Sequence, residues 1–165
     1  MKYIKTSFIF IICFFLMGCV LDDPKYITFK TKPTAYYYSD ELFSNIKENN
    51  SYTIQVFDCN LYKYYNIDQN DYDILDSFLT SLRTENYLSD FPEDMKNNGP
   101  VYRIIVTFDS SKFIINAYSN TLVTIHPYDG AFLEDIIDCS TNVSLRDNIY
   151  DFCIYVINKS QTESN

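Results

Sequence analysis

The stretch from Val101 to His126 constrains the fold more than any other. It sets Tyr102, Ile104, Val106 and Phe108 on one side of a strand, turns at Asp109-Ser-Ser-Lys112, alternates again through Phe113, Ile115 and Ala117, and turns at Asn120 into Leu122–His126. Connections this short leave only antiparallel neighbours. A meander with one apolar face has to be covered, so helices with one apolar stripe are the next thing to look for.

Three helices are expected. The strongest follows Asp68 as a cap: Tyr72, Leu75, Leu79 and Leu82 fall at helical spacing, Ile74 and Phe78 widen the stripe, and Asp71, Asp73 and Asp76 suit the positive end of the helix dipole. A shorter one starts at Ser39 as N-cap, with Asp40 and Glu41 in its first turn and Leu42, Phe43 and Ile46 on one face, and stops at Asn49-Asn50-Ser51. Leu145, Ile149, Phe152, Cys153 and Val156 build a closing helix, and Ser160–Asn165 reads as a disordered polar tail.

Further strands are expected at Tyr26–Lys30, ended by Pro33, and at Tyr52–Asp58, with extended character continuing from Leu61 to Tyr65. Phe132–Asp138 fits either a helical turn or a strand, and Ser89–Pro100 is a loop by composition. The predicted fold class is α+β: an antiparallel meander sheet of about four to six strands with helices packed on one face. Residues 26–159 form the globular domain in this reading.

The chain begins differently. Lys2 and Lys5 precede an apolar run from Phe8 to Met17, with Gly18 and Cys19 directly after it, which is the pattern of a secretory signal in residues 1–18. A membrane-crossing helix needs roughly 20 apolar residues, and this run gives way to Asp22-Asp23. Leu16-Met17-Gly18-Cys19 resembles the bacterial lipobox, although Met17 stands where a small or β-branched residue is commoner. The resemblance implies that Cys19 becomes a lipidated mature N-terminus, with residues 19–25 as a tether and the membrane as partner on the extracytoplasmic side. A cleaved signal with a chance cysteine and an uncleaved anchor are the alternatives. Two acyl chains at about 0.8 kcal/mol per buried CH₂ would make the attachment stable.

Residues 1–18 hold two lysines and no acid, so the 147 residues after them carry 11 basic and 22 acidic groups, a net charge of −11. Such a surface repels phosphate backbones, and nucleic acid is excluded as a partner. The composition, rich in Asn, Asp, Ile, Lys and Tyr and holding only three glycines, resembles that of low-GC Gram-positive bacteria. Cys59, Cys139 and Cys153 are odd in number and lie at no metal-ligand spacing, so free, buried thiols are expected. Cys139 with Cys153 is the one pairing to consider.

Little in the sequence argues for catalysis. His126, the only histidine, shares a strand face with Leu122 and Thr124, and none of the cysteines has a flanking signature that would activate it. A cell-envelope hydrolase using His126 and a carboxylate is the alternative reading. Asp68, Asp71, Asp73 and Asp76 invite calcium, but an EF-hand loop starting at Asp68 would need glycine where Asp73 stands and glutamate where Leu79 stands. No phosphate loop, serine elbow, metal motif or cofactor motif is present.

Tyrosine is the unusual element, 16 in all, concentrated at Tyr36, Tyr37 and Tyr38 and at Tyr62, Tyr64 and Tyr65. A rigid apolar body with a polar tip suits both half-buried strands and recognition surfaces. The two clusters are therefore the candidate patch for a protein, peptide or cell-wall ligand, and packing beneath the helices is the competing explanation.

Pro127-Tyr-Asp-Gly130, the acidic apolar segment after it, and Asn148-Ile-Tyr-Asp-Phe-Cys153 in the closing helix resemble an uncharacterised family of small clostridial lipoproteins. The resemblance implies the compartment and a one-domain architecture, and carries no functional residue over.

Overall fold

The computed structural model describes residues 31–48 and 51–163. The signal segment, Cys19, the tether and the expected strand at Tyr26–Lys30 lie outside the described residues.

Among the described residues seven strands form one antiparallel sheet: β1 (Thr53–Asp58), β2 (Lys63–Asn66), β3 (Tyr87–Leu88), β4 (Tyr102–Thr107), β5 (Lys112–Ala117), β6 (Leu122–Pro127) and β7 (Asp135–Asp138), in the order β2-β1-β4-β5-β6-β7-β3. Three α-helices among the described residues join them, α1 (Tyr37–Glu48), α2 (Asp73–Ser81) and α3 (Ile149–Glu163). The architecture is α+β, and the meander β4-β5-β6 is as its alternation requires.

Alternation decides which side chains meet the helices. Ile54 and Val56 of β1 face Val106 and Ile104 of β4, which face Phe113 and Ile115 of β5, and Ile115 faces Ile125 of β6. These residues join Leu42 of α1, Leu75 and Phe78 of α2, and Ile149 and Cys153 of α3 in one core, nearly all of them fully buried. Helix α2 lies between α1 and α3, and its buried stripe is the predicted one, with Ile74, Leu75, Phe78 and Leu79.

Four local expectations are corrected. Asp68 accepts from the Asn70 N–H at 3.0 Å and so caps a 3₁₀ turn, Gln69–Asp71, which precedes the α-helix proper. Ser39 does not cap α1. The helix starts two residues earlier, and the Ser39 N–H and hydroxyl both donate to Oδ2 of Asp135, at 2.7 and 2.9 Å. A buried carboxylate from β7 thus satisfies first-turn donors that the local sequence leaves open.

Leu145 lies outside α3 and is 83% exposed, because Asn148 caps that helix by accepting from the N–H groups of Tyr150 and Asp151 at 3.0 and 3.3 Å. Ser160–Glu163, expected as a tail, continue α3. Strand β3 also carries no periodic signal. It is pinned by the side chain of Asn86, 1% exposed, which donates to Asp138 O at 2.7 Å and Thr141 O at 2.9 Å.

Candidate recognition surface

The face of the sheet turned away from the helices is organised as rows. One crosses all seven strands: Tyr64, Phe57, Arg103, Asn116, Thr124, Ile136 and Leu88 are successive register partners from β2 to β3. The next runs Asn66, Gln55, Ile105, Ile114 and His126. Phe91 of the β3–β4 connection packs edge-on to Tyr118, with ring centroids 5.0 Å apart, so this connection reaches the β5–β6 end of the face. Thr124 is fully buried there, whereas the β2–β1 end is open.

At that open end the tight β1–β2 connection sets three aromatic rings together. Asp58, itself buried, accepts from the N–H groups of Asn60 and Leu61 at 2.8 and 3.0 Å and closes the turn. Tyr62 then adopts a positive φ of 51°, a conformation that costs a bulky residue energy and that glycine or asparagine would enter more cheaply. The Phe57 ring lies 4.6 Å from that of Tyr64 and 6.2 Å from that of Tyr62, and Arg103 is the register partner of Phe57 on β4. Tyr62 is 82% exposed and Tyr64 58%.

The structure therefore separates the six tyrosines singled out in the sequence. Tyr62 and Tyr64 are on the surface; Tyr65, their neighbour, turns to the core and is buried. Tyr36 and Tyr37 are half-buried, with Tyr36 against Tyr87 and Tyr37 against Phe132. Tyr38 is 2% exposed and fully committed: its hydroxyl accepts from the Phe132 N–H at 2.7 Å and donates to Phe132 O at 3.2 Å. Gly130 is the residue beside it. A Cβ there would lie 2.7 Å from the Tyr38 hydroxyl and 2.8 Å from Pro127, so Pro127-Tyr-Asp-Gly130 is the seat of Tyr38. Phe57, the centre of the aromatic group, was missed as a site residue. Its signal was that it is a large ring on the polar side of an otherwise clean alternation.

His126 stands at the other end of the face, held on both nitrogens. Pro127 O can only accept, so Nδ1 carries the proton and donates to it at 2.9 Å, leaving Nε2 to accept from the Asn116 amide at 3.3 Å. The same amide donates to Thr124 Oγ1 at 3.2 Å. His126 and Glu134 border one shallow depression of ≈ 350 Å³. Burial pushes the nearby Tyr118 hydroxyl up, and the charge of Glu134 adds to that, against a hydrogen bond with Thr124.

The three thiols among the described residues, Cys59, Cys139 and Cys153, are free, and none of them is activated. Burial pushes Cys139 up to about 12, burial also drives Cys153 far up, and at half-buried Cys59 it outweighs the lowering by Arg103. Nor do the four aspartates converge. Asp68 caps its turn, Asp71 pairs with Lys159 at 2.9 Å, Asp76 pairs with Lys47 at 2.5 Å, and Asp73 is exposed. Among the described residues no group of three or more His, Cys, Asp or Glu is placed to hold a metal ion, and no helix is long and apolar enough to cross a membrane.

A family model described as a domain of unknown function (DUF4883) matches residues 32–153. No curated protein sequence matches the chain. Among solved structures the chain is similar to one described as "Crystal Structure of Putative Lipoprotein from Clostridium perfringens", with 26% identity and a TM-score of 0.69 over 78% of this chain and 99% of that one. The family match spans the seven strands, both first helices and the start of the third, and the chain belongs to the DUF4883 family.

Proposed function

We propose that this protein is a lipoprotein anchored through Cys19 on the extracytoplasmic side of the cell membrane, and that its globular part is a non-catalytic recognition module. The sequence pattern Leu16-Met17-Gly18-Cys19 and the likeness to the Clostridium perfringens protein support the anchor. The observation that carries the recognition role is the pair of exposed rings Tyr62 and Tyr64 packed on half-buried Phe57 at the open end of the sheet face, with Tyr62 kept in a left-handed conformation that favours smaller residues. Rigid rings of this kind provide contact area at small entropic cost, and unusual backbone at an exposed side chain fits a site where that side chain is used.

The hydrolase reading has less behind it. Both nitrogens of His126 are engaged, and the thiols are pushed toward their protonated form. The test is a pull-down from cell envelope with wild type, Phe57→Ala/Tyr64→Ala and His126→Ala. Loss of capture in the aromatic variant alone supports recognition. Loss confined to His126→Ala, with an accompanying turnover of envelope material by wild type, would replace it with the hydrolase. Beside it, Cys19→Ser should abolish acyl labelling; a wild type that is already soluble and unlabelled would sink the anchor.

A further inference from the structure

Strand β2 is outermost on its side of the sheet. Across the β1–β2 ladder Val56 faces Tyr65 and Asp58 faces Lys63, and Ile67 N–H donates to Ile54 O in the same phase. Cys59, one residue out of phase, donates instead to Val101 on the β4 side. The alternation of an antiparallel ladder then turns the N–H and C=O groups of Lys63 and Tyr65 inward and those of Tyr64 and Asn66 outward. Among the described residues no backbone hydrogen bond outside the ladders reaches Tyr64 or Asn66.

Two different environments flank this free edge. On the helix side is a groove of ≈ 350 Å³ bordered by Lys63, Tyr65, Asp71, Val156 and Lys159; on the other side are the rings of Phe57, Tyr62 and Tyr64. A strand laid along β2 would send successive side chains to the two sides in turn. Two lysines, Lys63 and Lys159, and two aspartates, Asp68 and Asp71, border the groove, and Asp68 is occupied with capping its turn. Asp71 is matched by Lys159, whereas Lys63 has no carboxylate partner among the described residues and only the Tyr65 ring 4.9 Å from its ammonium.

We propose that the free edge of β2 takes an extended peptide segment of a partner protein as an eighth strand, with an acidic side chain directed to Lys63 and the adjacent apolar or aromatic side chain laid on Phe57, Tyr62 and Tyr64. This rests on the recognition role of the aromatic group and names its ligand class. The outward groups of Tyr64 and Asn66 call for an extended backbone, and Lys63, the groove's lysine with no ion pair among the described residues, calls for a negative charge. A second copy of this chain meets neither demand well: Lys63-Tyr-Tyr-Asn66 brings no acid, and two chains of net charge −9 repel. The chain's own Tyr26-Ile-Thr-Phe-Lys30 brings no acid either.

The test pans a phage-displayed random peptide library against the full chain solubilised in detergent, then measures synthetic versions of the enriched peptides by fluorescence anisotropy. The expected peptides carry an acid next to an aromatic or apolar residue. N-methylation of alternate amides, the set facing β2, should weaken binding by about tenfold while methylation of the intervening set does not. Lys63→Glu should cost the acidic peptides about tenfold and restore affinity when Lys replaces their acid. The proposal is overturned by no enrichment, by peptides without an acid preference or indifferent to N-methylation, by a dimer lost on Lys63→Glu, or by binding that appears only when residues 19–30 are deleted. Envelope capture that depends on Phe57 and Tyr64 while the methylation and Lys63 arms show no effect would remove the strand and leave the recognition role standing. Capture indifferent to Phe57 and Tyr64 would remove both.

Discussion

The ammonium of Lys32 lies 2.7 Å from Oδ1 of Asp135, whose side chain is fully buried, while Oδ2 of the same carboxylate holds the first turn of α1 through Ser39. One carboxylate therefore fastens three parts of the chain: the residues leading into the domain, the first helix and β7. Asp135→Ala takes the carboxylate from the Ser39 donors and from the Lys32 cation, which keeps only the carbonyls of Glu134 and Ala35. The expected cost is about 3–5 kcal/mol in chemical denaturation, because half of a buried pair is left unmatched. Lys32→Ala in the Asp135→Ala background should cost less than in wild type; equal costs would mean that the two residues are not coupled.

Gly130 is fixed by the room it leaves. Its backbone is not in the left-handed region, so the constraint is the Tyr38 hydroxyl and the Pro127 ring within 2.8 Å of any Cβ. Gly130→Ala should destabilise by about 1–3 kcal/mol as an overpacked site. Adding Tyr38→Phe removes one of the two clashing atoms, so the double variant should lose less than the two single losses combined, which thermal melts of the four proteins would show.

High pH should unfold the protein through groups that stay protonated only when folded. Burial raises Cys139 from about 9 and Tyr87 from about 10, each to about 12 in the folded state. Below pH about 9 their contribution is fully present; between about 9 and 12 the unfolded chain gives up protons that the folded chain keeps, so stability falls as pH rises. Urea midpoints should drop between pH 8.5 and 10.5, and Cys139→Ala should flatten that slope. A midpoint unchanged across this range would contradict the burial of both groups.

The thiols should react in the order of their burial. Cys59 is half-buried, while Cys139 and Cys153 are 4% and 0% exposed. With Ellman's reagent on folded protein lacking residues 1–19, and so both Cys13 and Cys19, one thiol should titrate slowly, and three in denaturant. Two fewer in denaturant without reductant would mean that Cys139 and Cys153 pair.

Much of this fold could be read because its periods are clean. Val101–His126 gave its strands to within a residue or two, and Leu75, Phe78 and Leu79 declared their burial by helical spacing. What could not be read depends on partners distant in sequence. Ser39 looks like a cap until Asp135, 96 residues away, claims both its donors. Strand β3 has two residues and exists because Asn86 and β7 hold it. The tyrosines illustrate the same limit. Adjacent residues on a strand point to opposite faces, so Tyr64 is exposed and Tyr65 buried within one run, and composition alone marks the run without sorting its members.

Lys32 meets the sheet at β7, and the aromatic edge is β2, five strand spacings away, or about 24 Å at roughly 4.8 Å per spacing. For a chain held by its N-terminal end, a pull on anything bound at β2 would travel crosswise through β1, β4, β5 and β6, along the direction of the interstrand hydrogen bonds. Such a load peels strands one after another instead of shearing many bonds at once. The weakest rung is the four-residue β2 itself, so under tension the protein would surrender that edge long before β7 let go of Lys32.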